Sequence, residues 1–140
     1  MSRWKLDYWK SENTDTSAVK KEMVKLLKDP IAKKQAFKLI SGVEEFGPFG
    51  FQTKGNKHLK GGLFELRDVV SGHRYYYCET PFCYLTAKKQ QTLVLLLLVV
   101  GPDKDKQQAN ISMARERQKS LSKKNLSNEE NFPIGYVKEF

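Results

Sequence analysis

With 140 residues, 39% of them apolar and 29% charged, the chain has the size and composition of one ordinary globular domain with a real core. Its net charge of +9 favours a polyanionic partner, either nucleic acid or an anionic membrane surface, and carries no information about fold. The longest apolar run, Leu93 to Val100, is too short to span a bilayer, and Met-Ser-Arg-Trp-Lys at the start lacks the apolar core of a signal peptide. Cys78 and Cys83 form no Cys-x-x-Cys motif, and no ligand pattern surrounds His58 or His73. A reduced cytoplasmic location, with no metal and no cofactor, is expected.

In chain order, Arg3 to Lys10 carries Trp4, Leu6, Tyr8 and Trp9 and reads as a first strand. Asp15-Thr16-Ser17 offers helix N-caps, and Val19, Met23, Leu26 and Leu27 then recur at helical spacing. Asp29-Pro30 closes that helix and opens a second, Asp as N-cap and Pro at the first helical position. Ala32, Ala36, Leu39, Ile40 and Val43 mark the second helix's buried stripe, and Gly47-Pro48 stops it. Phe49 to Asn56 reads as a loop that delivers Lys54, Lys57, His58 and Lys60 to the next element.

That element is a β-hairpin, Leu63 to Val70 followed by His73 to Cys78, with Ser71-Gly72 as a two-residue turn. This turn sets Val70 opposite His73, Val69 opposite Arg74 and Arg67 opposite Tyr76. Alternation then puts Phe64, Leu66, Val70, Tyr75 and Tyr77 on a core face, and Leu63, Glu65, Arg67, Val69, Arg74, Tyr76 and Cys78 on the other. Arg67 and Arg74 lie on a diagonal, roughly 7–8 Å apart. Two readings stand side by side: an Arg–Glu ladder on a solvated sheet face, or an anion site that uses the planar guanidinium fork.

Beyond the hairpin, Pro81 marks a bulge or a strand end, and Lys88-Lys89-Gln90-Gln91 a polar turn. Leu93 to Val100, without a polar residue, reads as a central strand covered on both faces. Gly101-Pro102 ends it, and Lys104 and Lys106 sit in a charged loop. Ile111, Ala114, Gln118 and Leu121 outline a third helix. Residues 1–121 thus form one domain. Residues 122–140, rich in Ser, Lys, Asn and Glu, form a tail whose end, Phe132 to Phe140, docks as a short strand or stays mobile. The predicted order is β-α-α-β-β-β-α, an α+β fold with a small antiparallel or mixed sheet. Its helices lie on one side and the basic groups collect on the open face.

Glu44-Glu45-Phe46-Gly47, the block Lys57-His-Leu-Lys-Gly-Gly-Leu-Phe-Glu-Leu-Arg67 and Gly72-His-Arg74-Tyr resemble the RelE/ParE toxin superfamily, closest to its HigB-like, phage-related branch. The resemblance spans roughly residues 3 to 121 and implies a RelE-like fold. It also implies a ribosome-dependent mRNA endonuclease, its partners being mRNA in the ribosome and a cognate antitoxin. By position, Arg67 matches the arginine that ends the family's Glu-Leu-Arg motif. Arg74 matches the arginine that contacts the scissile phosphate in RelE-type nucleases. Lys57 and Lys60 fall in the family's basic stretch, and Lys104 and Lys106 where many members carry a basic pair. Here Gly-Pro-Asp interrupts that pair and acidic residues alternate with it. The third helix lacks the aromatic found in RelE itself, for which Tyr136 or Tyr76 is a substitute.

Such chemistry needs no metal, because the RNA 2′-OH is the nucleophile and arginines stabilise the charged phosphate. Arg67 and Arg74 are expected at the phosphate, with His58 or Lys57 as base. Lys54, Lys60, Lys104 and Lys106 bind the backbone, and Tyr76 stacks on a base. Two other readings share the fold: a ParE-like gyrase inhibitor, and a non-catalytic basic nucleic-acid or protein-binding module. An antitoxin with an acidic segment is expected across the open face or along exposed helices.

Overall fold

The computed structural model describes residues 3–14, 16–85, 90–119 and 121–127. Its elements are β1 (Trp4–Tyr8), α1 (Ala18–Leu26), α2 (Pro30–Gly50), β2 (Asn56–His58), β3 (Leu63–Arg67), β4 (Arg74–Leu85), β5 (Gln90–Val100) and α3 (Gln107–Lys119). The architecture is α+β, with one five-stranded sheet in the order β1-β5-β4-β3-β2. β1 runs parallel to β5, and every other pair is antiparallel.

Local chemistry fixes the two N-terminal helices. The Ser17 hydroxyl accepts from the Lys20 amide and donates to the Trp9 carbonyl, so it both caps α1 and ties it to the end of β1. Of the three N-cap residues read from sequence, Ser17 takes the role; Asp15 lies outside the described residues. Asp29 caps α2 by accepting from Ile31 and Ala32, with Pro30 in the first turn. Ala32, Ala36, Ile40 and Val43 are buried, and the small alanines let the helix approach the sheet closely. α2 kinks at Gly47, whose φ of 79° suits glycine and whose missing side chain makes room for the Trp4 ring. One further turn runs to Gly50 before the chain leaves the helix.

The helices are not all on one side. α1 and α2 pack on one sheet face, where Leu6, Tyr8, Phe64, Leu66, Tyr75, Tyr77, Val94, Leu96 and Val99 join Val19, Met23, Ala36, Ile40 and Val43. α3 packs on the other, where Leu63, Tyr76, Cys78, Leu93, Leu95, Leu97 and Leu98 meet Ala114. The face expected to be open is therefore covered. The physical reason is β5: a strand apolar on both sides needs a layer on each, and two helices on one face leave the other to α3. Leu93 to Val99 are all buried, as that apolar run requires. β5 is an interior strand but second from the edge; β4 is central.

Alternation along β5 breaks once. Tyr76 pairs with Leu98 and Tyr77 with Leu96, so Leu97 is an extra, bulged residue. Leu97 and Leu98 consequently both face α3. Arg117 reaches back from α3 and donates to the Leu97 carbonyl at 2.7 Å, with its guanidinium 4.5 Å from the Trp9 ring centre. A second irregularity falls between Glu79 and Cys83, around Pro81, the position read as a bulge or strand end. The Thr80 hydroxyl there donates to the Leu93 carbonyl at 2.9 Å. Gln90 and Gln91 belong to β5 rather than to a turn, while Lys88 and Lys89 lie outside the described residues.

Two further segments differ from expectation. Residues 56–58, read as loop, form a short edge strand against β3, held where the Arg67 amide donates to the Gly55 carbonyl. Its three residues are too few for periodicity to reveal. At the far edge, Leu126 bridges Trp9, Asn125 bonds Lys10, and the Ser127 hydroxyl donates to the Tyr8 carbonyl at 2.6 Å. Tyr136 and the whole of 128–140 lie outside the described residues. No helix among the described residues is long and apolar enough to cross a membrane.

Candidate nucleic-acid interface

The β3–β4 hairpin pairs Leu63 with Cys78, Glu65 with Tyr76, Leu66 with Tyr75 and Arg67 with Arg74. The turn is longer than Ser71-Gly72. The Asp68 amide donates to the His73 carbonyl, and the Gly72 amide, with φ 81°, donates to the Asp68 carbonyl. Asp68 is the reason: it accepts from the Val70 amide and the Ser71 hydroxyl, closing a wider loop that the sequence reading missed. Val70, expected in the core, is 61% exposed in that loop. The register moves by two residues, so the side chains of Leu63 to Arg67 and Arg74 to Cys78 keep the faces assigned to them while their partners change. Arg67 and Arg74 stand directly opposite each other rather than on a diagonal.

The two arginines have different surroundings. Arg74 is buried, and its Nε lies 4.0 Å from Glu65 Oε2. Its Nε and Nη1 make no hydrogen bond. Glu65, also buried, accepts from the Tyr76 hydroxyl at 2.7 Å and from Gln107 Nε2 at 3.0 Å. Glu65 thus compensates one guanidinium beneath the start of α3, an Arg–Glu pair on a covered rather than a solvated face. Arg67 is half-exposed, and its guanidinium has no hydrogen bond or ion pair among the described residues.

Tyr76 is fully buried, so the base-stacking role read for it is corrected: its ring belongs to the core cluster beneath α3 that also holds Leu63, Leu95 and Ala114. Burial, then the hydrogen bond to Glu65, pushes its hydroxyl pKa above the ordinary tyrosine range, so it stays protonated. His58 stands apart from the two arginines. It pairs with Phe64 and stacks near Phe49 and Phe64 on the α1–α2 side of the sheet, across from the arginines. Lys57 pairs with Glu65 and lies on the arginine side, fully in solvent reach. Lys54 and Lys60 are exposed. The turn containing Lys60 is clasped by α3, since Arg115 donates to the Lys60 carbonyl and Gln118 to that of Gly61. Lys104 and Lys106 are exposed in a 3-10 turn leading into α3, and Pro102 just before it touches Gly72 of the hairpin loop. Arg67, Lys57, Lys104 and Lys106 therefore share the α3 side, while His58 does not.

Gln107 was missed by the sequence reading, and a lone glutamine at a helix start gives no signal that would have found it. Comparison of the chain with protein-family models, with curated proteins and with solved structures finds no match in any of the three.

Proposed function

We propose that the chain is a HigB-like toxin of the RelE/ParE superfamily: a ribosome-dependent mRNA endonuclease acting in the cytoplasm and restrained by an antitoxin. The observation that carries the reading is the pair Arg67–Arg74 on facing strands, with one charge offset by Glu65 and the other presented at the surface. Arg67 is the phosphate ligand, and Arg74 stands behind it as a fixed positive charge. Lys57, on the same side, is the base: its ammonium first gives a proton to solvent, and the free amine then takes the 2′-OH proton. The 2′-oxygen then bonds to phosphorus as the bond to the 5′-oxygen breaks, and a protonated lysine of the Lys104–Lys106 turn returns a proton to that oxygen. An acidic antitoxin segment suits the outer face of α1, where Lys20, Lys21, Lys25 and Lys28 surround Val24 in a groove of about 540 Å³.

A second reading, a gyrase inhibitor or a non-catalytic binder, is favoured by the burial of Arg74 and Tyr76 and by His58 facing away. Cell-free translation of a reporter mRNA, with new 5′ ends mapped by primer extension, separates the two. Discrete ribosome-dependent cuts that vanish in Arg67→Ala are the expected result. Intact mRNA and full translation would overturn the endonuclease, and a gyrase supercoiling assay then takes its place.

A further inference from the structure

We propose that Phe49 and His58 form a stacking platform for an unpaired RNA base, with Lys54 holding an adjoining phosphate before the RNA crosses the β2 edge to the α3 side, where Lys57 and the Lys60 turn lie. The inference rests on RNA as the ligand, as proposed above, and adds a subsite on the opposite side of β2 from Arg67.

The first support is exposure. Phe49 is 69% exposed, more than any other large apolar residue among those described, and Phe46 beside it is 51% exposed. A folded domain leaves such clustered aromatic surface in water where something binds. The second is rigidity. Phe49 meets His58 edge-on at 5.0 Å between ring centres and Phe64 at 4.9 Å, and buried Phe64 stacks on Tyr77. Asn56 ties this loop to the sheet, donating to the carbonyls of Pro48 at 2.9 Å and Phe51 at 3.0 Å while accepting from the Tyr77 hydroxyl at 2.6 Å. A platform fixed before binding loses little entropy when it is used.

Charge selects the ligand. From Phe46 to Phe64 the sequence holds three lysines and no carboxylate, and all three lysines are exposed. Aromatic rings among unpaired cations match what single-stranded nucleic acid needs: π-faces for bases and point charges for phosphates. An acidic protein segment would use the same lysines but has no need of ring planes. That difference is testable. With Tyr76 buried, this surface takes over the stacking role, and RNA crossing the short β2 edge passes from it to Lys57 and Arg67 on the other face.

The test is fluorescence anisotropy of a short, unstructured, labelled RNA oligonucleotide with the wild type, Phe49→Ala, Phe49→Leu and Phe49→Trp. Thermal unfolding serves as the check that each variant folds. Alanine and leucine should each weaken binding about ten-fold and tryptophan preserve it. Lys54→Ala should lower the slope of log affinity against log salt by about 0.7. Wild-type affinity in Phe49→Ala, or in Phe49→Leu, overturns the platform, as does absence of RNA binding by the wild type. Ring-dependent binding without ribosome-dependent cutting removes the endonuclease and keeps the platform. Cutting with ring-independent binding does the reverse.

Discussion

The two faces of the sheet solve different problems. Beneath α1 and α2 the contacts are mostly apolar, tyrosine rings and aliphatic chains against a helix stripe that includes two alanines, with one buried carboxylate, Glu44 of α2, accepting from the Leu6 amide at 2.7 Å. Beneath α3, one buried helix residue, Ala114, shares the face with a polar set of Arg74, Glu65, Tyr76 and Gln107. The first face is where stability is generated. The second holds charge in place next to Arg67, Lys104 and Lys106. Separating the tasks across one sheet lets the charged side carry desolvation costs that a small single core would bear poorly.

The largest effect should come from the dry face. Leu96→Ala removes a buried side chain packed under the helix pair and should cost about 3 kcal/mol, read as a fall in the urea midpoint at unchanged slope. Next comes the polar set. Arg74→Ala leaves Glu65 buried without its cation, but Tyr76 and Gln107 still bond it, so the cost should be about 2 kcal/mol, below the usual range for a broken buried pair. Arg67→Ala, its strand neighbour, should change stability by less than about 0.5 kcal/mol. If both arginines cost the same in urea, the contrast between an internal and a presented guanidinium fails.

The faces meet at the edge of β5 beyond the end of β1, where Glu22 from α1 accepts from the Val99 amide at 3.2 Å and Arg117 arrives from α3. Burial raises the Glu22 carboxyl pKa, against the smaller opposing effects of the Val99 amide and Arg117. A raised folded pKa means that the protonated form is favoured by folding. Its stabilisation is complete below the ordinary carboxylate range and is lost as pH rises through the folded value. Glu22→Gln should therefore gain stability relative to the wild type at neutral pH, with the gain fading on acidification through that window. Paired urea titrations across the window check it, and a gain that grows on acidification would mean that Arg117 and the Val99 amide dominate.

Much of this was legible in the sequence, for reasons that can be named. Leu93 to Val100 had no polar residue, and only a strand covered on both faces tolerates that. Hairpin faces survived a wrong turn because Asp68 widened the loop by an amount that preserved parity. The caps Ser17 and Asp29 announced themselves by residue type. The bulge at Leu97 did not, since no Gly or Pro marks it and a leucine run reads the same with or without a slip. Nor did the side taken by α3: one buried alanine is too little pattern to orient a helix. Of the candidate site, the residue types were visible, but which of them share a face depended on β2. That strand's three residues sent Lys57 to one side and His58 to the other.

The smallest perturbation is also a sensitive probe of the α3 face. Cys78 is buried there, its thiol pushed up to about 12 by burial first and by Glu79 second, whereas Cys83 is exposed. Only the thiolate reacts with a disulfide reagent, so native protein at neutral pH should release one equivalent promptly, from Cys83. Cys78 must wait for α3 to lift. Besides Ala114 and the partly buried Ile111, α3 is held by polar contacts, those of Arg115 to Lys60, Gln118 to Gly61 and Arg117 to Leu97. Bonds of this kind open to water at less cost than a packed apolar face. Cys78 should therefore label faster than the chain unfolds globally, and Leu96→Ala should speed global unfolding more than it speeds that labelling. Labelling that tracks global unfolding in both proteins would mean that the two faces form one cooperative unit.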